Sequence, residues 1–337
     1  MDKIKVSICV PVYGVEKYIE RCARSLFEQT YKNIEYVFIN DSTKDNSILI
    51  LNKILLEYPY RVSQVRIINH SQNKGLAASR NTAVDNSTGD YLMHVDSDDW
   101  IESDTVENCV KEVMKRDYDL VFFDGTVFRN NYFEYMNIPM NISRNDLLVN
   151  VLSFNARHNI WGVLIKRQLY VKNNVHAIEG CNMGEDFQVL PLLLYYSDNI
   201  FSIGKSLYNY DRRNVQSITY NFSKKNAIQN WQSIDFVYNL FKKLDCNFLD
   251  YLEIYKLKTI FFQIKNCILS GSNLDYLDYL MLRLNTINKK YWFQITLLRR
   301  IAFYIHNKKL LYIYMLALSK MNILLKFCKS PSFCYHL

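Results

Sequence analysis

Asp96, Asp98 and Asp99 crowd the end of a short apolar run, Leu92 to Val95, that follows Gly89. The run reads as a buried strand entered through a turn. Three carboxylates at a strand's exit repel one another, so a fold that only turns a corner has little use for them. In extended geometry Asp96 and Asp98 project to one side of the chain, with Cα atoms about 7 Å apart. Two oxygen donors so placed suit a hard divalent cation that also binds a substrate's phosphates. A polar loop with Asp at turn positions accounts for the same residues, and on this stretch alone the two readings stand level. A second acidic pair, Glu185-Asp186, follows Gly184 and opens an apolar helix running to Tyr196. A helix dipole keeps an anion ionised there, and an ionised carboxylate can accept a hydroxyl's proton. Plain helix N-terminal acids fit these positions too.

The elements that must position these acids alternate. Val6 to Val12 is an apolar strand ending at Pro11-Val12-Tyr13-Gly14. A helix follows, with Ile19, Cys22, Ala23, Leu26 and Phe27 at the spacing of one buried face. A strand from Tyr36 to Ile39 runs into the cap-rich Asn40–Asn46 loop; a helix spans Ile48 to Leu56, a strand Val65 to Ile68, and a helix Leu76 to Val84. This order predicts right-handed βαβ units and a parallel sheet. In such sheets ligands bind where the carboxyl ends of the strands open. Tyr13, Asp41 and Asp96 each follow a strand and therefore share one rim.

Further on, a helix (Val106 to Met114) and a strand (Leu120 to Phe123) are clear, and residues 129–145 read as a loop or lid without period. Asn159 to Arg167 combines Trp161, an apolar strand and basic residues; a strand from Ile200 to Ile203 precedes Tyr208–Arg213. After residue 222 the pattern is helical, with stripes at Ile228, Trp231, Ile234, Tyr238 and Phe241, and at Leu310, Tyr314, Ala317, Met321 and Leu324.

A chain of 337 residues with 49% hydrophobic and 22% charged residues holds one large or two ordinary globular domains. The net charge is +8, and no Asp or Glu follows Asp278 although Lys and Arg continue to Lys329. Ile295, Leu298, Ala302 and Ile305 form an apolar face with Arg299, Arg300, Lys308 and Lys309 around it. A basic amphipathic helix of this kind lies on a membrane surface or caps a domain. The eight cysteines show no CxxC pair or zinc spacing, which favours a reducing compartment. No signal peptide or spanning segment is apparent, so the chain is expected to be cytoplasmic or peripheral on the inner face of the plasma membrane.

Taken in register, Pro11-Val12-Tyr13, Asp41, Asn73-Lys74-Gly75 with Ala78-Ser79-Arg80-Asn81, Asp96-Ser97-Asp98-Asp99 and Glu185-Asp186 resemble the inverting glycosyltransferases of family 2. The resemblance covers residues 4–220. It implies a GT-A fold, α/β and Rossmann-like, with a mixed, mostly parallel central sheet flanked by helices. It implies that Pro11, Val12, Tyr13 and Asp41 hold the nucleobase and ribose, with Glu16, Lys74, Gly75, Arg80, Asp96 and Ser97 also on the nucleotide sugar. Asp98, with Asp96 beside it, would serve Mn²⁺ or Mg²⁺ and the diphosphate. Asp186 would be the catalytic base, with Glu185 next to it. Where many relatives carry Asp-Asp-Gly-Ser this chain has Asn40-Asp41-Ser42-Thr43, so the first acid is neutral.

Three acceptor-side residues remain open. Trp161 suits a sugar face or a core; Arg212 and Arg213 suit a phosphate or lipid diphosphate, or a surface ion pair. His94 is expected in the core. With the resemblance, the sequence predicts a GT-A catalytic domain over 1–220, with a nucleotide-binding half (1–100) and an acceptor half (101–220), and an all-helical region over 221–337 for membrane-surface or oligomer contact. The expected activity is metal-dependent, inverting transfer from a nucleotide sugar, a UDP-sugar by expectation, to a glycan or lipid-linked acceptor in polysaccharide assembly, with membrane-surface contact and no nucleic acid. A silent sugar-nucleotide binder is the rival. A nucleotidyltransferase would want a glycine-rich loop after the first strand, which Gly14-Val15-Glu16 is not.

Overall fold

The N-terminal apolar runs form the parallel half of one sheet in the computed structural model, which describes residues 4–214, 223–269, 275–305, 310, 311, 313–315, 317 and 318. Strands and helices alternate as β1 (Val6–Val12), α1 (Ile19–Phe27), β2 (Ile34–Asn40), α2 (Ser47–Leu56), β3 (Val65–Asn69), α3 (Leu76–Asp85) and β4 (Tyr91–His94). β1 pairs in parallel with β2 and β4, and β2 with β3, so their carboxyl ends share an edge. The spacing read on α1 is realised: Ile19, Cys22, Ala23, Leu26 and Phe27 are buried in one core with Val6, Ile8 and Val10.

Pro11 sits in a middle strand without breaking the ladder. Val6 N–H and Val12 C=O bond on the β2 side, while Cys9 C=O accepts Val95 N–H on the other side. Pro11 therefore faces the β4 side, and pairing with β4 has ended at Cys9. Its missing N–H costs no ladder bond.

Beyond β4 come β5 (Trp100–Ile101), α4 (Thr105–Lys115), β6 (Leu120–Phe128), β7 (Phe133–Met136), α5 (Arg144–Leu152), β8 (Val163–Lys166), α6 (Arg167–Asn173), α7 (Glu185–Tyr196) and β9 (Ile200–Asp211). The sheet runs β3-β2-β1-β4-β8-β6-β9-β5, with β7 on β6. β8 is antiparallel to β4 and β6, whereas β9 is parallel to β6, so the parallel pattern gives way to a mixed one. The stretch 129–145, expected to be a loop or lid, holds β7 and the start of α5. β7 escapes pattern reading because its outward residues, Phe133 and Tyr135, are as apolar as a core face. β9 is also longer than expected and carries Tyr208 to Asp211 in regular pairing.

The chain divides into two compact units, Met1–Leu148 with Ala156–Ser217, and Val149–Asn155 with Ile218–Leu337. The second holds α8 (Lys224–Leu244), α9 (Leu249–Leu269), α10 (Asp275–Asn285) and α11 (Leu297–Tyr304). Trp231, Ile234 and Phe241 are buried as their spacing predicts, while Ile228 and Tyr238 are half-buried and Val237 is buried instead. Gln263 Oε1 accepts from Trp231 Nε1 at 2.7 Å and from the Tyr276 hydroxyl at 2.8 Å. The last expected stripe is offset by one: Leu310 and Ala317 are exposed, and Leu311, Met315 and Leu318 are buried. Almost every residue there is apolar, so composition gives no phase to the helix. Met321, Leu324, Lys308 and Lys309 lie outside the described residues, as do the side chains of Leu298, Arg299 and Ala302. Among the described residues no helix is long and apolar enough to cross a membrane.

Candidate active site

Asp96 to Asp99 forms a tight turn, not the extended segment expected, closed by Asp99 N–H donating to Asp96 C=O at 3.0 Å. The turn breaks the two-residue alternation and gives each carboxylate its own partner. Asp96 faces Arg80 at 2.7 Å. Asp98 accepts from Asn214 Nδ2 at 2.8 Å. Asp99 is fully buried and accepts from the Tyr208 hydroxyl and from Asp211 N–H, both at 2.7 Å. Burial, followed by the nearby Asp98 charge, raises the Asp99 carboxyl far above its ordinary range. Burial and then the Asp96 charge push Asp98 up to about 6.

α3 brings Arg80 and α7 brings Glu185 and Asp186 to a common interior point. Arg80 is 5% exposed. Its Nη2 donates to Asp96, and its Nη1 to Glu185 at 2.7 Å and to Asp186. The expectation that Arg80 touches the donor gives way to this role, because both Nη groups are committed to carboxylates. Burial raises Glu185, with the Asp186 charge adding. It raises Asp186 as well, with Arg80 opposing; Ile160 N–H and the Asn159 side chain also donate to that carboxylate. Arg80 is its counter-ion.

On the rim, Tyr13 is 50% exposed and Lys74 is exposed, so both are available to a ligand. Pro11, Val12 and Ser97 are buried. The Glu16 carboxylate accepts from Asn46 N–H at 3.1 Å and locks the loop after β2. Asp41 anchors a loop: it accepts from Lys74 N–H and Gly75 N–H, both at 2.8 Å, and lies 2.7 Å from His70 Nδ1. Gly75 must be glycine, since its φ is +91° and a Cβ there would meet the Asn182 side chain at 2.2 Å. His70, Asn182 and Asn214 carry no sequence signal, because each is a lone polar residue far along the chain from what it touches, and Asp211 shows its local partner Arg213 but not Arg21 or Asp99.

Trp161, offered as a sugar platform, is 2% exposed and stacked on Tyr208 at 4.5 Å. Arg213 donates from Nε and Nη2 to Asp211 at 2.7 and 2.8 Å, the ion-pair alternative. Arg212 bonds through its N–H to Phe128 C=O. His94 is in the core, where burial lowers it to about 3.

Asp98 fits a divalent cation. It is an oxygen donor in a crowd of negative charge, which a cation would relieve. Among the described residues no three His, Cys, Asp or Glu side chains form a cage. An ion held by Asp98 would therefore take its other ligands from phosphates and water.

Residues 7–184 match the family described as glycosyl transferase family 2. Glycosyltransferase GlyA of Streptococcus pneumoniae is 32% identical over 218 residues, 61% of this chain and 30% of that protein. The uncharacterized glycosyltransferase EpsJ of Bacillus subtilis is 29% identical over 226 residues, 64% of this chain and 62% of EpsJ. The matches thus span less than two thirds of these relatives. S. aureus TarS 1-349, in complex with UDP-GlcNAc, has a TM-score of 0.70 at 17% identity, covering 93% of this chain and 89% of that one. Mannosyltransferase PcManGT from Pyrobaculum calidifontis, in complex with GDP-Man and Mn²⁺, has a TM-score of 0.50 at 14% identity, covering 95% and 87%. The shared fold is GT-A.

Proposed function

This chain belongs to glycosyl transferase family 2, and we propose that it moves a sugar from a UDP-sugar to a hydroxyl of a glycan or lipid-linked acceptor, with inversion, in polysaccharide assembly. The reading rests on one observation: Arg80 joins the aspartate turn to Glu185-Asp186 in a single ion cluster. The turn that carries Asp98 and the pair that carries Asp186 are thereby tied to one guanidinium. The nucleotide complexes of TarS and PcManGT support a nucleotide-sugar donor.

Residues 1–220 act as the catalytic domain, the first hundred taking the donor and the rest the acceptor. The half-exposed Tyr13 ring stacks on the base and the exposed Lys74 ammonium meets the diphosphate. Mn²⁺ or Mg²⁺ held by Asp98, with Asp96 beside it, supplies Lewis-acid neutralisation of the leaving diphosphate when bound. Asp186 takes the proton of the acceptor hydroxyl as that oxygen attacks the sugar from the opposite face, which inverts the centre. Glu185 shares Arg80 and keeps the base oriented.

Nucleotide release from a panel of nucleotide sugars, with and without Mn²⁺, tests the reading. Asp98→Ala, or wild type with chelator, is expected to lose roughly a thousandfold in turnover, as several kcal/mol of charge stabilisation implies. A wild-type protein that binds UDP but releases nucleotide from no donor is a silent binder.

Residues 221–337 supply contact with an anionic membrane. In support, α11 leaves Leu297, Ile301 and Tyr304 exposed at i, i+4 and i+7, in a region without acids after Asp278. The protein is expected to sediment with vesicles rich in anionic lipid at low salt and to be released as salt rises. Equal sedimentation with neutral vesicles counts against this contact.

A further inference from the structure

We propose that Arg21, on α1, is a positioning residue for Asp98, acting with Asp211 and Tyr208 to clamp the aspartate turn. This rests on the reading that Asp98 holds the divalent ion. Arg21 lies outside the acid cluster described above. Its Nη2 donates to the Asp98 carbonyl at 2.8 Å and to Asp211 Oδ2 at 2.7 Å. Its guanidinium is stacked 3.8 Å from the centre of the Trp100 ring, which fixes the plane from which it donates.

The other end of the clamp is β9. Tyr208 uses its hydroxyl twice: it accepts from Asp96 N–H at 3.1 Å and donates to Asp99 at 2.7 Å. Asp211 N–H donates to the other Asp99 oxygen at 2.7 Å. Burial works against the Asp211 charge, but hydrogen bonds from Arg213 and Arg21 outweigh it and hold the carboxyl at about 2. Asp211 therefore stays an anion, and Arg21 always has its partner. Asn214, three residues on, reaches the Asp98 carboxylate itself at 2.8 Å.

The turn is held by backbone contacts at Asp96 and Asp98, by both oxygens of Asp99, and by a side chain on Asp98. The charges of Asp96 and Asp211 both act on Asp98, and the tether opposes the opening of the turn that this repulsion favours. Arg21 is the cation that ties the Asp98 main chain to β9. Supporting residues of this kind typically set metal affinity by about 10- to 100-fold.

Mn²⁺ is titrated into purified protein with saturating UDP, and free Mn²⁺ is followed by electron paramagnetic resonance. Arg21→Gln is expected to weaken Mn²⁺ binding about tenfold, leaving UDP binding without metal unchanged. Arg21→Lys, which keeps the charge but not the planar guanidinium stacked on Trp100, is expected to recover part of the loss. Arg24→Gln, one turn on and paired with Glu20 and Glu57, is expected to bind Mn²⁺ as wild type does. If Arg21→Gln does not fold, the nearly isosteric Tyr208→Phe carries the test and is expected to shift affinity in the same direction.

Unchanged Mn²⁺ affinity in a folded Arg21→Gln or Tyr208→Phe protein overturns the proposal. So does an equal loss in Arg24→Gln, which would mean a general disturbance of α1. If wild type itself binds no Mn²⁺ with UDP, the metal reading of Asp98 fails and the clamp's role falls with it. If wild type binds and the variants match it, only the clamp fails.

Discussion

Replacing Arg80 with methionine is expected to destabilise the protein by about 3–5 kcal/mol, the penalty for leaving buried charges without their partner. Arg80 answers Asp96, Glu185 and Asp186 at once; Glu185 and Asp186 are buried, while Asp96 is partly exposed. Methionine fills much of the volume but supplies no charge, so the three carboxylates must repel one another or take up protons. The sign of the pH effect follows. In the variant, burial and mutual repulsion raise the folded-state pKa values above the unfolded ones, so the folded state binds more protons. Stability is then regained as pH falls towards those raised values, and the deficit is largest at neutral and alkaline pH. Urea unfolding of wild type and Arg80→Met at pH 7.5 and 5.5 measures this. A variant of wild-type stability at both pH values would show that the cluster contributes nothing net. Arg80→Lys keeps one charge but cannot fork to three acceptors, and is expected to fall between them.

Asp186→Asn is expected to lower transfer by roughly a hundred- to ten-thousandfold, the usual contribution of a general base, with little change in the KM for donor. Asparagine still offers an oxygen to Arg80, so the fold should survive. The corresponding Glu185→Gln change is expected to cost less, because Glu185 acts through the shared guanidinium. Burial raises Asp186 against the pull of Arg80. A base must be ionised to work, so the acid limb of the kcat profile is expected above the ordinary carboxylate range. Initial rates from pH 5 to 9 test both points. Near-normal turnover in Asp186→Asn would remove Asp186 from the mechanism.

The two acid groups were legible for different reasons than the fold gives them. Asp96-Ser97-Asp98-Asp99 stands out in the sequence as a charge cluster after an apolar strand, and the role proposed for Asp98 is to hold a cation. The geometry that first recommended it, two carboxylates on one side of an extended chain, does not exist, because Asp99 N–H closes a turn on Asp96. Asp41 and Glu16 were read towards a nucleotide; both are hydrogen-bonded to neighbouring backbone N–H groups. Arg80 was read the same way and proves to be the counter-ion of three acids. In each case the residue type is plain in the sequence, and its partner is not.

What the sequence determined by itself was the alternation of elements. Buried faces obey short periods: Ile19, Cys22, Ala23, Leu26 and Phe27 are neighbours in space because they are three or four apart in the chain. Strand ends are equally local, so the rim carrying Tyr13, Asp41 and Asp96 could be read from where apolar runs stop. The partners of charged groups are another matter. Arg80 meets Asp186 across 106 residues, and Arg21 meets Asp211 across 190. No local period relates such positions. A buried charge takes whichever opposite charge the packed sheet and helices bring within reach, and only the tertiary structure decides which one that is.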